Sequence, residues 1–187
     1  RLVGALMPGE PEPAQIVLRA GPDGATLVAA TASDLRSGDH RIPASEISLL
    51  EVARVRVESP IDSAGGPGDY PDPLPPLKAA LEIRPHENQA IWVSVRVPED
   101  AAAGDYEGAI RLETRGGATD VPLRVHVFDF TLPRTTRLHG GFGFDTGAMR
   151  RYHGLETDAE ARAVYDLYLR SFAEHRITPY SFFAFDP

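Results

Sequence analysis

The segment AIWVSVRVPEDAAAGDYEGAIRLETRGGATDVPLRVHVFDFTLP, residues 90–133, constrains the fold more than any other stretch, because its side chains alternate through three successive runs. Ile91, Val93, Val95 and Val97 fall on one face, against Trp92, Ser94 and Arg96. Tyr106, Ile110 and Leu112 oppose Arg111 and Glu113, and Val121, Leu123, Val125 and Val127 oppose Arg124 and His126. A period of two marks half-buried antiparallel strands, since successive Cβ atoms point to opposite faces. Pro98 to Gly104 reads as a long turn entered through a proline, and Arg115-Gly116-Gly117 as a tight one that supplies positive φ. The segment therefore predicts three consecutive strands of a meander. One apolar face on three strands does not offset the entropy of ordering them, so a second sheet has to cover it.

The residues before this segment supply candidates for that sheet. Ala14 to Arg19 and Ala25 to Ala30 are short apolar runs, bracketed by Pro11, Pro13 and the turn Gly21-Pro22-Asp23-Gly24. Ile47 to Val57 alternates with a slip: Ile47 and Leu49 share one parity, Leu50 and Val52 the other, and Val55 and Val57 return. Such a slip predicts a bulge or a strand that changes sheets. Ser59 to Pro76 has no periodicity and carries Pro60, Pro67, Pro71, Pro73 and Pro75, which predicts a stiff surface loop. Ala79 to Ile83 reads as a short strand leading back to the central segment. The sum is a mainly β chain, an antiparallel β-sandwich over residues 1–133.

After Leu132-Pro133 the pattern changes. Leu138 to Phe144 (LHGGFGF) is apolar and glycine-rich without alternation, as a strand buried on both faces would be. A polar loop follows, and then Thr157-Asp158-Ala159-Glu160 reads as a capping box. Ala161, Val164, Leu167, Tyr168 and Phe172 share one helical stripe, which predicts a helix from about Asp158 to Glu174. Ile177 to Phe185 (ITPYSFFAF) reads as another buried strand. Residues 134–187 are thus expected to be the first strand, helix and strand of a (β/α)8 barrel, which needs further units to close. The start at Arg1 and the stop after SFFAF are expected to be those of a piece of a longer protein.

Bulk properties exclude several partners. The chain has 187 residues, 42% hydrophobic and 25% charged, with no apolar run of membrane-spanning length. A net charge of −8 without a Lys/Arg cluster argues against nucleic acid, whose phosphates demand local positive charge. Zero cysteines remove disulfides, thiol catalysis and thiolate zinc sites. The compartment stays open, with a secreted or periplasmic one ahead of the cytoplasm.

Four blocks then carry a family resemblance. GDYPDPLPPL (Gly68 to Leu77), WVSVRVPEDAAAGDYEG (Trp92 to Gly108), VHVFDFTLP (Val125 to Pro133) with FGF (Phe142 to Phe144), and AEHRITPY (Ala173 to Tyr180) resemble glycoside hydrolase family 123. The resemblance runs from about Gln15 to the end. It implies an N-terminal sandwich bracing a (β/α)8 barrel that removes terminal N-acetylgalactosamine from glycolipids or oligosaccharides. It also implies a substrate-assisted retaining mechanism, in which the substrate's own acetamide oxygen attacks while an adjacent Asp-Glu pair orients it and protonates the leaving oxygen. That scheme departs from the usual pair of carboxylates flanking the scissile bond. No Asp-Glu dipeptide occurs here, so the pair is expected beyond Pro187, this piece alone is expected to be inactive, and no cofactor is implied. The alternative is a non-catalytic carbohydrate-binding or interaction sandwich, against which the capped helix between two strands counts.

The barrel rule, that sites lie at the C-terminal ends of strands, picks out Phe144 and Asp145 after the first barrel strand and Tyr180 and Phe183 on the second. An aromatic ring covers the C–H face of a sugar and a carboxylate accepts its hydroxyls. The competing reading has the rings in the core and Asp145 capping a turn. His40, His86, His126, His139, His153 and His175 show no paired metal spacing, and His175-Arg176 suits a helix C-terminus. Asp69 and Asp72 lack the oxygen ladder of a calcium loop, and Glu99-Asp100 fits a turn. Trp92 faces away from the apolar side of its strand, packing there or serving as a sugar platform.

Overall fold

The computed structural model describes residues 2–9, 11–61, 65–131, 133 and 141–180. The chain divides into two compact units, Arg1–Leu132 and Pro133–Pro187. In chain order the first unit contains β1 (Leu2–Leu6), β2 (Pro11–Arg19), β3 (Ala25–Ala32), β4 (Leu35–Ser37), β5 (His40–Ile42), a single 3₁₀ turn (Ala44–Glu46), β6 (Ile47–Glu51), β7 (Arg54–Val57), β8 (Gly68–Pro71), β9 (Leu81–Ile83), β10 (Asn88–Arg96), β11 (Gly104–Thr114) and β12 (Gly117–Val127). The larger sheet has the order β1-β12-β11-β3-β9, with β4 also on β11 and β5 on β4; the smaller has the order β2-β10-β6. β7 and β8 form a separate ribbon.

The inward parity of the central segment is that of the sequence reading. Ile91, Val93, Val95 and Val97 join Tyr106, Ile110, Leu112, Leu123, Val125 and Val127 in one buried cluster with Leu6, Ile16, Leu27, Leu35, Ile42 and Ile47. The pairing differs from the expected meander. β10 lies between β2 and β6, and only β11 and β12 are neighbours in the other sheet. Alternation reports which face is apolar, not which strand lies alongside, so the three runs fill the core from both sides. The buried Tyr106 ring fixes the start of β11, where its hydroxyl donates to Ala102 O at 2.9 Å, and burial pushes its phenol pKa up.

Three further expectations change, and one open alternative is decided. The sandwich is not wholly antiparallel, since β1 pairs parallel with β12; the next strand, β2, lies in the other sheet, so no tight hairpin constrains the direction of β1. The slip at Val52 is the change of sheets: β6 pairs with β10 and β7 with β8. The proline-rich stretch is not only loop, because Gly68–Pro71 forms β8. Pro11 and Pro13 sit inside β2 rather than flanking it, which an edge strand tolerates because one side of it needs no donors.

Local geometry explains why β4 crosses β11 closely. A Cβ on Gly108 would stand 2.6 Å from Leu35 Cδ2 and 2.8 Å from Asp34 O, so only glycine admits the passing backbone. Asp34 ties the β4–β5 hairpin to the following turn, accepting from Ala44 N at 2.9 Å and Arg41 Nη1 at 3.0 Å. The Ala44 amide, more than Arg41 or Arg36, holds its carboxyl below the usual range.

In the second unit β13 (Phe142–Gly143) pairs parallel with β14 (Pro179–Tyr180), and α1 (Thr146–His153) and α2 (Asp158–Glu174) lie between them in sequence. The capping box at Thr157 and Glu160 and the bounds of α2 are as read from the sequence. The expected polar loop instead contains α1, capped by Asp145 and closed by Gly154 in the left-handed region. Leu167 departs from the apolar stripe and is 60% exposed, as Phe142 is at 51%; the described part of the first strand is therefore not buried on both faces. No helix among the described residues is long and apolar enough to cross a membrane.

Candidate functional site

Parallel pairing places the C-terminal ends of β13 and β14 together. Phe142 N donates to Thr178 O at 3.0 Å and Phe144 N to Tyr180 O at 2.9 Å, so Phe144, Asp145 and Tyr180 converge on one strand end. Phe183 lies outside the described residues. Convergence on the C-terminal edge of parallel strands is the geometry in which α/β folds bind ligands.

The three residues are not equivalent there. The Phe144 ring packs against Tyr165, Tyr168 and Phe172 of α2 at centroid distances of 5.6, 5.0 and 5.6 Å. This is the geometry of an aromatic core, and it favours the packing reading for that residue. Asp145 is exposed and accepts from Gly147 N at 2.8 Å and Ala148 N at 3.1 Å, both through Oδ1. It is the N-cap of α1; among the described residues Oδ2 accepts nothing. Tyr180 is 45% exposed.

The sequence reading missed α1 and with it two polar pairings behind the strand ends. His153, at the end of α1, lies with Nε2 2.9 Å from the Tyr168 hydroxyl, and Arg150 pairs with Asp158 to join the two helices. The signal was present: Asp145 precedes a run closed by Gly154, which is a start and stop for a short helix. It was hidden by the composition TGAMRRYH, whose single large buried side chain is Met149.

The remaining sequence candidates have ordinary structural places. Trp92 is half-buried on the outer face of the smaller sheet, in register with Gln15 and Leu50. The His175 ring N–H donates to Ser171 O at 2.7 Å at the end of α2. Asp69 pairs with Arg56 at 3.6 Å. No three His, Asp or Glu side chains among the described residues converge as metal ligands. A groove of about 530 Å³ at one end of the sandwich is lined by Asp23, Thr26, Glu82, Arg84 and Arg115, but Glu82 is engaged by Thr26 Oγ1 at 2.9 Å and Arg115 at 3.6 Å. No nucleophile–base pair is built there.

Comparison with known proteins places the chain. A family model described as the glycoside hydrolase 123 N-terminal domain matches residues 9–114. A solved family 123 glycoside hydrolase from Clostridium perfringens, described in connection with glycolipid glycan hydrolysis, shares the fold with a TM-score of 0.80 at 14% identity. The match covers 92% of this chain and 31% of that one, so the chain spans about a third of that enzyme's length. A PapD-like domain of human CEP192 matches at 10% identity over 67% of this chain and 82% of that one, with a TM-score of 0.31 that is too low to indicate a common fold. None of the curated proteins matches the chain in sequence.

Proposed function

The chain belongs to the glycoside hydrolase 123 family through its N-terminal domain, and from that membership we propose that it is the sandwich and the opening strand–helix–strand of a glycoside hydrolase. The match over residues 9–114 is the observation that carries the reading. The parallel pairing of β13 with β14, separated by the capped α2, supports assigning residues 134–187 to the beginning of a (β/α)8 barrel. The sandwich acts as the barrel's brace and takes no part in bond cleavage.

The reaction proposed is removal of terminal N-acetylgalactosamine from a glycolipid or oligosaccharide, by attack of the substrate's own acetamide oxygen. The relation of the Clostridium enzyme to glycolipid glycans supports this class of substrate. The Asp-Glu pair that would orient the acetamide and protonate the leaving oxygen lies beyond Pro187. Asp145 and Tyr180 sit at the rim of the site, where Asp145 Oδ2 accepts a sugar hydroxyl while Oδ1 holds the cap of α1. Phe144 holds that rim from beneath, and Phe183 is assigned to the site on its sequence position alone.

The test is hydrolysis of an aryl β-N-acetylgalactosaminide by the full parent protein and by residues 1–187. The parent is expected to cleave it and the short chain to be inert. Asparagine preserves an N-cap, so Asp145→Asn in the parent should raise KM with little loss of stability. An inert parent overturns the reaction, and cleavage by residues 1–187 overturns the assignment of the chemistry to later strands. An unchanged KM removes Asp145 from the site.

A further inference from the structure

The free side of β6 is covered by an unusual neighbour. Residues 72–76, Asp-Pro-Leu-Pro-Pro, run alongside it: Glu51 N donates to Pro75 O at 3.0 Å, Ala53 N to Pro73 O at 3.0 Å, and Asp72 N to Ala53 O at 3.2 Å, with a bridge between Leu50 and Pro76. Pro71, Pro73, Pro75 and Pro76 have no N–H to give, so this cover accepts from β6 but returns little. It is also thinly packed. Residues 71–74 are exposed, and Pro75 and Leu77 are half-buried, Leu77 with its side chain against the core cluster.

Beneath its end lies a charge with poor local support. The Glu51 side chain is 10% exposed, and by register with Ile91 it shares the inward face of β10 and β6. Its Oε2 has essentially no contact with solvent and accepts no hydrogen bond from the described residues. The nearest countercharge is Lys78 Nζ at 3.9 Å, on a side chain that is 71% exposed. A buried carboxylate oxygen without a donor is costly, and here its cation is carried by the segment that continues the cover.

We propose that residues 72–78 form a strap that lifts from β6 as a unit while the sandwich stays folded, with the Glu51–Lys78 pair as its catch. Three properties support separability: few backbone bonds, an exposed outer surface, and among the described residues a single ion pair at its end, with Leu77 the one side chain to be withdrawn from the core cluster. In the closed state the strap blunts the edge of β6, since an added strand would find proline where it needs donors. In the lifted state the N–H groups of Glu51 and Ala53 lose Pro75 O and Pro73 O and face solvent.

Amide hydrogen exchange on residues 1–187 tests this. In the wild-type chain the amides of Glu51 and Ala53 should exchange faster than those of Ile91 and Val93 in the adjacent β10. Lys78→Met should speed exchange at Glu51 and Ala53 by roughly fivefold, the scale of a half-exposed pair, and leave Ile91 and Val93 unchanged. Glu51→Gln should do the same, and the double variant should add nothing to either single one. Should Glu51→Gln fail to fold, Lys78→Met decides the matter, because Lys78 is exposed. Exchange at Glu51 and Ala53 that matches β10 in the wild type, or that Lys78→Met leaves unaltered, overturns the strap.

Discussion

The two units use similar apolar residues to different ends. In the sandwich the inward positions close on one another: Ile91, Val97 and Ile110 are fully buried, and Val125 and Val127 nearly so. In the second unit the helix is well capped and the aromatic rings of Phe142, Phe144, Tyr165, Tyr168 and Phe172 touch, yet Phe142, Tyr152, Leu167 and Tyr180 remain 45% exposed or more. Two facing sheets satisfy one another's apolar faces. The described parallel pair of β13 and β14 covers less of its aromatic and aliphatic surface. Among the described residues, then, the sandwich closes its core and the second unit leaves large apolar side chains uncovered.

The sharpest way to break that comparison is to damage the closed core. Gly108→Val places side-chain atoms where Leu35 Cδ2 and Asp34 O already stand within 2.8 Å of the Cβ position. Backbone cannot yield as a flexible side chain does, so the expected loss is about 3 kcal/mol in a urea melt. A loss under about 0.5 kcal/mol, the ordinary surface range, would mean that β4 does not pass there. Next comes a matched pair of deletions. Ile91→Ala, at 0% exposure, should cost roughly 2 to 5 kcal/mol, whereas Phe142→Ala, at 51% exposure, should cost less than about 1 kcal/mol despite the larger side chain removed. Equal losses would erase the distinction between the units.

How much of this was legible in the sequence follows the same division. The inward faces of β10, β11 and β12 were readable because period two is a property of the strand alone. Their distribution over two sheets was not, because Val95 and Val125 look alike from the sequence and pairing is decided by distant residues such as Ile16 and Leu49, the β2 and β6 neighbours of Ile91 and Val93. The parallel placement of β1 and the strap on β6 were hidden for the same reason. At the candidate site, the barrel rule brought Phe144, Asp145 and Tyr180 together, and the structure places them at one strand end. The competing reading gave Asp145 a capping task, which it has; what could not be told was that the cap opens a helix. A cap depends on helical turns after it, and α1 is too short and too polar to announce itself by periodicity.

Smaller effects should separate what α2 contributes from within and what packing adds. Thr157→Ala removes the acceptor for Glu160 N and should lower stability by about 1 kcal/mol. Because the second unit is thinly packed, the loss should show as reduced helical signal at 222 nm before any change in the sandwich. A loss spread evenly over both units would indicate one cooperative block.

The smallest expected effect is acid-driven and acts on the same cap. The Glu160 carboxylate accepts from the Thr157 amide at 2.9 Å, from its hydroxyl at 2.9 Å and from the Glu156 amide at 3.2 Å. The Thr157 amide is the foremost of these in holding its pKa below the ordinary value. A folded value below the unfolded one means that the unfolded chain binds the proton first. The stabilisation is therefore complete above the ordinary glutamate range and fades as pH falls through the lower folded value. In the wild-type chain the helical signal should decline across that acidic window, and in Glu160→Gln, which keeps a capping amide but cannot titrate, the decline should be weaker. Asp34, also held low, titrates in the sandwich, so its hairpin should loosen on the same side of neutrality without loss of helical signal. A helical decline that is identical in Glu160→Gln would move the acid sensitivity of α2 away from its cap.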